Sequence, residues 1–320
     1  MTIISKTMKK IARNNNRRLS FKNLHDRDQH IHFQEKGHIY TVKGKTGYTS
    51  VTTLVHKHSK PFDENAAIKR IIENQTNEKY KGMTEADIKM LWKVNGIEAR
   101  TLGTKMHYGI ECHYNNETKP DLWKNLDEEY TQFQAFLKDH QFLEAFRTEW
   151  AVYDEANKIS GSIDMVFKNK VTGKYDIYDW KRTKEIKHRG FNKLQADFLS
   201  NIPDSNYWLY SLQLNVYKYI LETNYDIDVG DLWLVAIHPE QPFYRKYLAA
   251  ELQDVVPQLF ASVTPPQPQQ KAQPQPQPQP TNTEPPQTPQ TPQPLLTQAL
   301  RRSSRIAAQS SSSQKPNTGV

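Results

Sequence analysis

The sequence predicts a mixed α/β fold of the α+β kind, with helices flanking a short mixed β-sheet and a helical subregion near the N-terminus. Three features carry that expectation. Apolar residues recur at helical spacing between Asp63 and Leu143, the character turns to strand between Phe146 and Trp180, and a long helical pattern at Trp208–Leu221 is followed by an unbroken apolar series within Asp231–His238.

The first element is a β-hairpin, because the segments Ile31-His32-Phe33 and His38-Ile39-Tyr40-Thr41-Val42 flank a turn containing Gly37. A second turn, from Gly44 to Gly47, leads into Ser50-Val51-Thr52-Thr53-Leu54-Val55. Behind Pro61 the pattern becomes helical, with Ala66, Ala67, Ile68, Ile71 and Ile72 on one stripe and acids in the first turn, where the helix dipole favours them. A second helix is expected from Thr84, carrying Ile88, Leu91 and Trp92. A third covers Glu98–Tyr114, and a fourth covers Leu126–Leu143, striped by Tyr130, Phe133, Phe136 and Leu137. The strands are Phe146–Tyr153, Ile159–Phe167 and Lys174–Trp180, the last two joined by a turn at Asn169–Gly173. No repeat is visible at periods of about 20 to 50 residues.

Composition then bounds the folded part. Of 19 prolines, 13 follow Thr264 in a Pro/Gln alternation that ends in Ser, so residues 264–320 are expected to be a disordered, extended tail. The chain carries a formal charge of +8, but residues 1–28 net +6 and residues 264–320 net +4, which leaves the body at 29–263 with −2. Residues 1–28 read as a flexible basic arm. The first 25 residues hold seven Lys/Arg and no acid, a presequence-like composition, although three consecutive Asn at 14–16 break any helical face. In the tail, Leu295–Ala308 with Arg301, Arg302 and Arg305 is open to reading as a peptide for a protein partner, an import signal, an extra DNA contact, or a segment with no docking role.

The single cysteine, Cys112, excludes a disulfide framework and any four-thiolate zinc or iron–sulfur site. It points to a reducing, intracellular compartment, with nucleus, cytoplasm and mitochondrion all left open. Mean hydropathy is −0.82 and no apolar run reaches the length of a bilayer span, so no membrane partner is expected.

Chemistry concentrates in Gly161-Ser162-Ile163-Asp164-Met165-Val166-Phe167 and Tyr175-Asp176-Ile177-Tyr178-Asp179-Trp180-Lys181. Each embeds an acid among apolar strand residues, where an ionised carboxylate is costly unless a cation compensates it. A divalent metal is a natural compensator, because hard Mg²⁺ takes a few carboxylates and keeps other positions for water and phosphate oxygen. Lys181 lies two residues beyond Asp179, hence on the same strand face. The plainer account is that Asp164 and Asp179 are strand-edge acids in ordinary salt bridges with Lys181 and Arg182. Acid-x-Lys alone carries little information, since Asp87-Ile88-Lys89, Glu117-Thr118-Lys119 and Glu185-Ile186-Lys187 repeat it.

Six short pieces in order resemble the PD-(D/E)XK nuclease superfamily, and within it the RecB-like exonucleases. They are Ser50-Val51-Thr52-Thr53, Gly103-Thr104-Lys105-Met106-His107, Glu149, Gly161-Ser162-Ile163-Asp164, Ile177-Tyr178-Asp179-Trp180-Lys181 and Gln213-Leu214-Asn215-Val216-Tyr217. The resemblance implies a restriction-endonuclease-like core at 29–263. It implies that Asp164 and Asp179 bind Mg²⁺, for which Mn²⁺ would substitute, with the Trp180 carbonyl and His107 as further ligands. Lys181 would act on the attacking water, Glu149 would bind a second metal or hold a water, and Gln213 and Tyr217 would support the lysine or the substrate. Standing against these are a helix-surface histidine, an acid paired with Arg147, and a Tyr217 in the core. Iron–sulfur relatives need four cysteines, so no cluster is expected.

The activity implied is Mg²⁺-dependent hydrolysis of DNA phosphodiester bonds at single strands or exposed ends, in repair, recombination or replication. The alternatives are a structure-specific or nicking endonuclease on the same core, and a catalytically silent DNA-binding scaffold. DNA over RNA rests on the resemblance alone. Directly after the acid-rich strand come Arg182, Lys184, Lys187, Arg189 and Lys193, opposed only by Glu185, a run that suits a phosphate backbone or simply a solvated loop.

Overall fold

In a computed structural model of the chain, residues 17–74, 77–117 and 121–263 are described. The expectations for residues 1–16 and for the tail from Thr264 lie outside them.

The elements run α1 (Arg17–Lys22), β1 (Ile31–Gln34), β2 (Ile39–Val42), β3 (Thr49–Ser50), α2 (Val51–His56), α3 (Glu64–Asn74), α4 (Glu85–Tyr114), α5 (Asp127–Asp139), β4 (Leu143–Asp154), β5 (Ile159–Asn169), β6 (Tyr175–Arg182), α6 (Asn206–Asn224), β7 (Val229–Ile237), β8 (Arg245–Leu248) and α7 (Val256–Ala261). The hairpin forms as expected, with Ile31 opposite Val42. The fold is a mixed sheet between helices. β4 pairs antiparallel with β5 along its whole length, β5 with β6 antiparallel, β6 with β7 parallel and β7 with β8 antiparallel.

Two apolar layers hold the sheet. On one face Ile177, Val166 and Leu234 pack against Leu212, Val216 and Ile220 of α6 and against Val51 and Leu54 of α2. On the other, Tyr178, Trp180, Phe167 and Val235 pack against Met106 and Ile110 of α4 and Phe133 and Phe136 of α5. Because side chains alternate across a strand, Asp179 and Lys181 share the α6 face with Ile177.

The two helices expected at Thr84 and Glu98 are one helix of 30 residues. Thr84 caps it: its hydroxyl accepts the Asp87 N–H while Asp87 accepts the Thr84 N–H, so orphan donors at the N-terminus are satisfied reciprocally. Gly96 costs helix propensity without breaking the ladder. In α2, Ser50 plays the same capping role through Thr53 N–H. β8 and α7 had no counterpart in the sequence reading: β8 is a short polar edge, and α7 opens on Pro257.

The flexible arm at 1–28 requires correction over residues 17–28. Leu19 is buried and its N–H donates to Asn115 Oδ1. Asp28 accepts from Arg147 Nη1 at 2.7 Å and from the indole of Trp150 at 2.8 Å, and Arg27 lies 4.0 Å over the Tyr153 ring. Part of the basic charge assigned to a solvated arm therefore belongs to the packing of β4. Arg147→Ala, which takes the cation from Asp28 and leaves its carboxylate on the Trp150 indole and the His25 N–H, is expected to cost about 3 kcal/mol in urea denaturation. Asp28→Ala with Arg147→Ala should cost clearly less than the sum of the single changes, and additive costs would mean the pair is not coupled.

Candidate active site

The site forms where β5 changes partners. β4 covers one edge of β5. The other edge meets β3 only at Ile159 and Ser160, and β6 only from Met165 onward. Residues 161–164 lie between these two ladders. Asp164 fills the break by accepting the Trp180 N–H at 3.0 Å.

Register sets the acids in a row. Glu149 lies opposite Asp164, between the pairs Thr148–Met165 and Trp150–Ile163, and Asp179 lies one step beyond the pair Met165–Tyr178, again opposite Asp164. Helix α4 adds His107, whose Nδ1 is 3.5 Å from Asp164 Oδ2. Donor atoms of His107, Glu149 and Asp164 all lie within 4.8 Å of one another. Glu149 adopts φ +43°, a left-handed conformation costing a non-glycine residue about 1–3 kcal/mol, and its carboxylate accepts the Ser162 hydroxyl at 3.0 Å.

Asp179 and Lys181 form the second half of the site. The ammonium stands 2.6 Å from Asp179 Oδ2, which is buried and has no other hydrogen-bond partner among the described residues. Gln213 Nε2 of α6 donates to the other oxygen at 3.3 Å. The lysine also sits 4.4 Å above the ring of Tyr210, one turn before Gln213 on the same helix face. Tyr217 packs against Gly161, where a Cβ would lie 2.7 Å from its hydroxyl and 2.8 Å from Cε1, so the glycine before Asp164 is a space requirement of α6.

Electrostatics divides the two halves. Burial, the Asp164 charge and Glu111 push Glu149 up to about 8. Glu111, buried one turn beyond His107, is likewise pushed by burial to about 8. Burial raises Asp179 to about 6 against the pull of Lys181. Burial opposes the Lys181 charge, but Asp179 and Asp164 hold its pKa above the ordinary lysine value. On the His107 side the acids are thus costly to ionise together, whereas on the Lys181 side an ammonium stands against Asp179.

Of the residues singled out in the sequence, His107, Glu149 and Asp164 converge, with Asp179, Lys181 and Gln213 beside them. Asp179 is outside the three-donor group, and its carboxylate serves Lys181 and Gln213. The Trp180 N–H donates to Asp164. Glu149, expected to bind a second metal or hold a water, is one of the three converging donors. The basic run also separates. Arg182 turns inward to Glu129, Nε to Oε1 at 2.8 Å with both side chains nearly buried, so its place as an outward phosphate contact is corrected. Lys184 pairs with Glu240, Lys187 lies 3.9 Å from Glu185, Lys193 donates to the Asn201 carbonyl, and Arg189 is exposed. Arg182, Lys184, Glu185, Lys187, Asn206 and His238 line an open depression of about 590 Å³. Tyr210 and Ser162 were not singled out as site residues. For Tyr210 the signal was present: Tyr210, Gln213 and Tyr217 fall on one helical face.

No family model matches the chain, and no curated protein matches it. Among solved structures, that of SSO0001 is similar over 67% of this chain and 73% of that one, at 15% identity and a TM-score of 0.29; overlap that loose bears on neither fold nor function.

A carboxyl that titrates near 8 when folded and near 4.5 when unfolded keeps its proton in the native state across that window. The native chain then binds more protons than the unfolded chain, and stability falls as pH rises between those values. In metal-free protein, Glu149→Gln should flatten that fall in thermal melts; an unchanged slope would place the extra proton elsewhere. Gly161→Ala should cost about 1–3 kcal/mol by driving Tyr217 out of place, and a melting temperature equal to wild type would refute the close packing.

Proposed function

We propose that the chain is a metal-dependent phosphodiesterase acting on DNA, with His107, Glu149 and Asp164 as the cation site and Lys181 beside it. The observation that carries this reading is the convergence of His107, Glu149 and Asp164 donor atoms within 4.8 Å of one another, beside the ion pair of Asp179 and Lys181 on the adjacent strand.

The residues fit a hard divalent ion. Two carboxylates opposite each other raise the cost of ionising both, which a bound cation removes, and the imidazole makes Mn²⁺ at least as suitable as Mg²⁺. When bound, such an ion supplies charge neutralisation for the phosphoryl oxygens and acidifies a water molecule. The protein groups do the remainder. His107 and the two acids orient the site from three separate elements. Asp179 fixes Lys181, Gln213 holds Asp179 from the far side, and Tyr210 receives the ammonium over its ring. Lys181, kept protonated by its neighbours, is suited to donate a hydrogen bond to a water or to the scissile phosphate, so its charge stabilises developing negative charge and does not remove a proton.

The test is an end-labelled DNA oligonucleotide incubated with Mg²⁺ or Mn²⁺, with and without chelator. A ladder from one end supports an exonuclease, internal cuts an endonuclease, and retarded but intact DNA the silent scaffold. Lys181→Ala should lower turnover by about 10²-fold or more while leaving DNA affinity near wild type. Asp164→Asn should abolish the metal-dependent reaction. Cleavage by Lys181→Ala at the wild-type rate would remove the role assigned to the ammonium.

A further inference from the structure

Phe191 is fully exposed, at 108% relative accessibility, at the tip of the loop that follows β6. A singly exposed aromatic on a surface is ordinary. Here the setting is not ordinary, because the backbone presenting the ring is fixed on both sides. The Asp204 N–H donates to the Asn192 carbonyl at 2.8 Å, and the Leu194 N–H donates to Ile202 at 3.0 Å. The Lys187 N–H is held by Asn206 Oδ1 at 2.7 Å. Gly190 lies so close to Asp204 that a Cβ would fall 2.0 Å from its carbonyl oxygen, so only glycine permits this path one residue before the ring.

The same aspartate ties in a second segment. Its carboxylate accepts from the Ser59 hydroxyl at 2.8 Å and from the Lys60 N–H at 2.9 Å. Two residues on stands Phe62, 74% exposed and 5.9 Å from the Trp92 ring of α4. Asp204 therefore knits together two loops, each carrying an outward phenyl ring and, within two residues of it in sequence, exposed cations: Lys60 in one, Arg189 and Lys193 in the other. Lys187, at the root of the Phe191 loop, lines an open depression together with Arg182, Lys184 and Asn206.

We propose that Phe191, with Phe62, is a stacking platform for the unpaired bases of a single nucleic-acid strand whose backbone is held by Arg189 and Lys193. Every base has a π-face, so ring stacking is tolerant of sequence, while cations on the same rigid loop answer the phosphates. Prior ordering by Asp204 and Gly190 removes much of the entropy cost of fixing a loop on binding. The proposal deepens the DNA reading of the neighbouring site and rests on it for the nature of the ligand.

The experiment is fluorescence anisotropy of labelled oligo(dT) with the full chain in chelator, so that no cleavage intervenes. Phe191→Ala should weaken binding by about tenfold and leave the salt dependence unchanged, whereas Arg189→Ala should lower the slope of log affinity against log salt by about one. Phe191→Trp should restore affinity, and its emission should be quenched on adding oligo(dT). A full exposure of the side chain means these variants should melt with the wild type. Wild-type affinity in Phe191→Ala, an unquenched tryptophan in Phe191→Trp, or no binding of oligo(dT) by the wild-type chain would each overturn the platform. Cleavage by a chain whose Phe191→Ala variant binds normally would sink the platform and leave the phosphodiesterase standing. Phe191-dependent binding by a chain that cleaves under no metal would do the reverse.

Discussion

Between Ser160 and Met165 the β5 edge facing β3 and β6 has no strand partner, and Asp164 occupies that break. A β3 longer by a few residues would close the ladder there and leave the carboxylate buried in continuous sheet, where ionisation would be costly. A β6 that began pairing earlier would leave no room for the Trp180 N–H to turn to the Asp164 side chain. The short β3 and the late start of β6 are therefore what allow an acid in the middle of a sheet to face a usable space. The capping of α2 by Ser50 ends β3 after two residues, which links a local hydroxyl–amide contact to the opening of the site.

Charge follows from the same arrangement. Three acids in a row across β4, β5 and β6 repel one another, and on one side Lys181 stands against Asp179. On the other side it places an imidazole from α4 and tolerates a left-handed backbone at Glu149. Backbone strain and acids pushed toward their neutral form at one point in an otherwise well-packed sheet are features associated with sites that do work on a ligand. The buried pair Arg182–Glu129, one residue from Lys181 in sequence, is the contrast: it is matched, nearly dry and directed to the opposite layer.

Much of this was legible in the sequence because it rests on period-two and period-3.6 patterns. The strands bearing Glu149, Asp164 and Asp179 and the helix bearing Gln213 were each placed within a few residues, and the parity of Asp179 and Lys181 followed from strand alternation alone. What was not legible depends on partners distant in the chain. Arg182 reads as one more cation in a basic run until Glu129, 53 residues earlier, is seen beneath it. Asp28 and Arg27 read as arm residues until Arg147, Trp150 and Tyr153 are known to lie under them. Two helices were expected from Thr84 and Glu98, yet one capped helix with tertiary contacts runs through Gly96 and absorbs its cost of about 1 kcal/mol. β8, four residues long and polar, has no pattern to find.

The inward Arg182–Glu129 pair changes the charge that the basic loop presents. Taken as a line of like charges, residues 182–193 would need a polyanion merely to relieve their own repulsion. The structure instead neutralises its first members internally: Arg182 on Glu129, Lys184 on Glu240, Lys187 near Glu185. Cations without a carboxylate contact are left toward the tip, at Arg189 and Lys193, among the described residues. Charge is thus graded along the loop, bound near the sheet and available at its far end. A rigid sheet can then carry the chemistry while a separately braced loop meets a ligand, and changes at one need not disturb the other, since the hydrogen bonds bracing the loop run through Asn206 and Asp204 and not through the acids of the site.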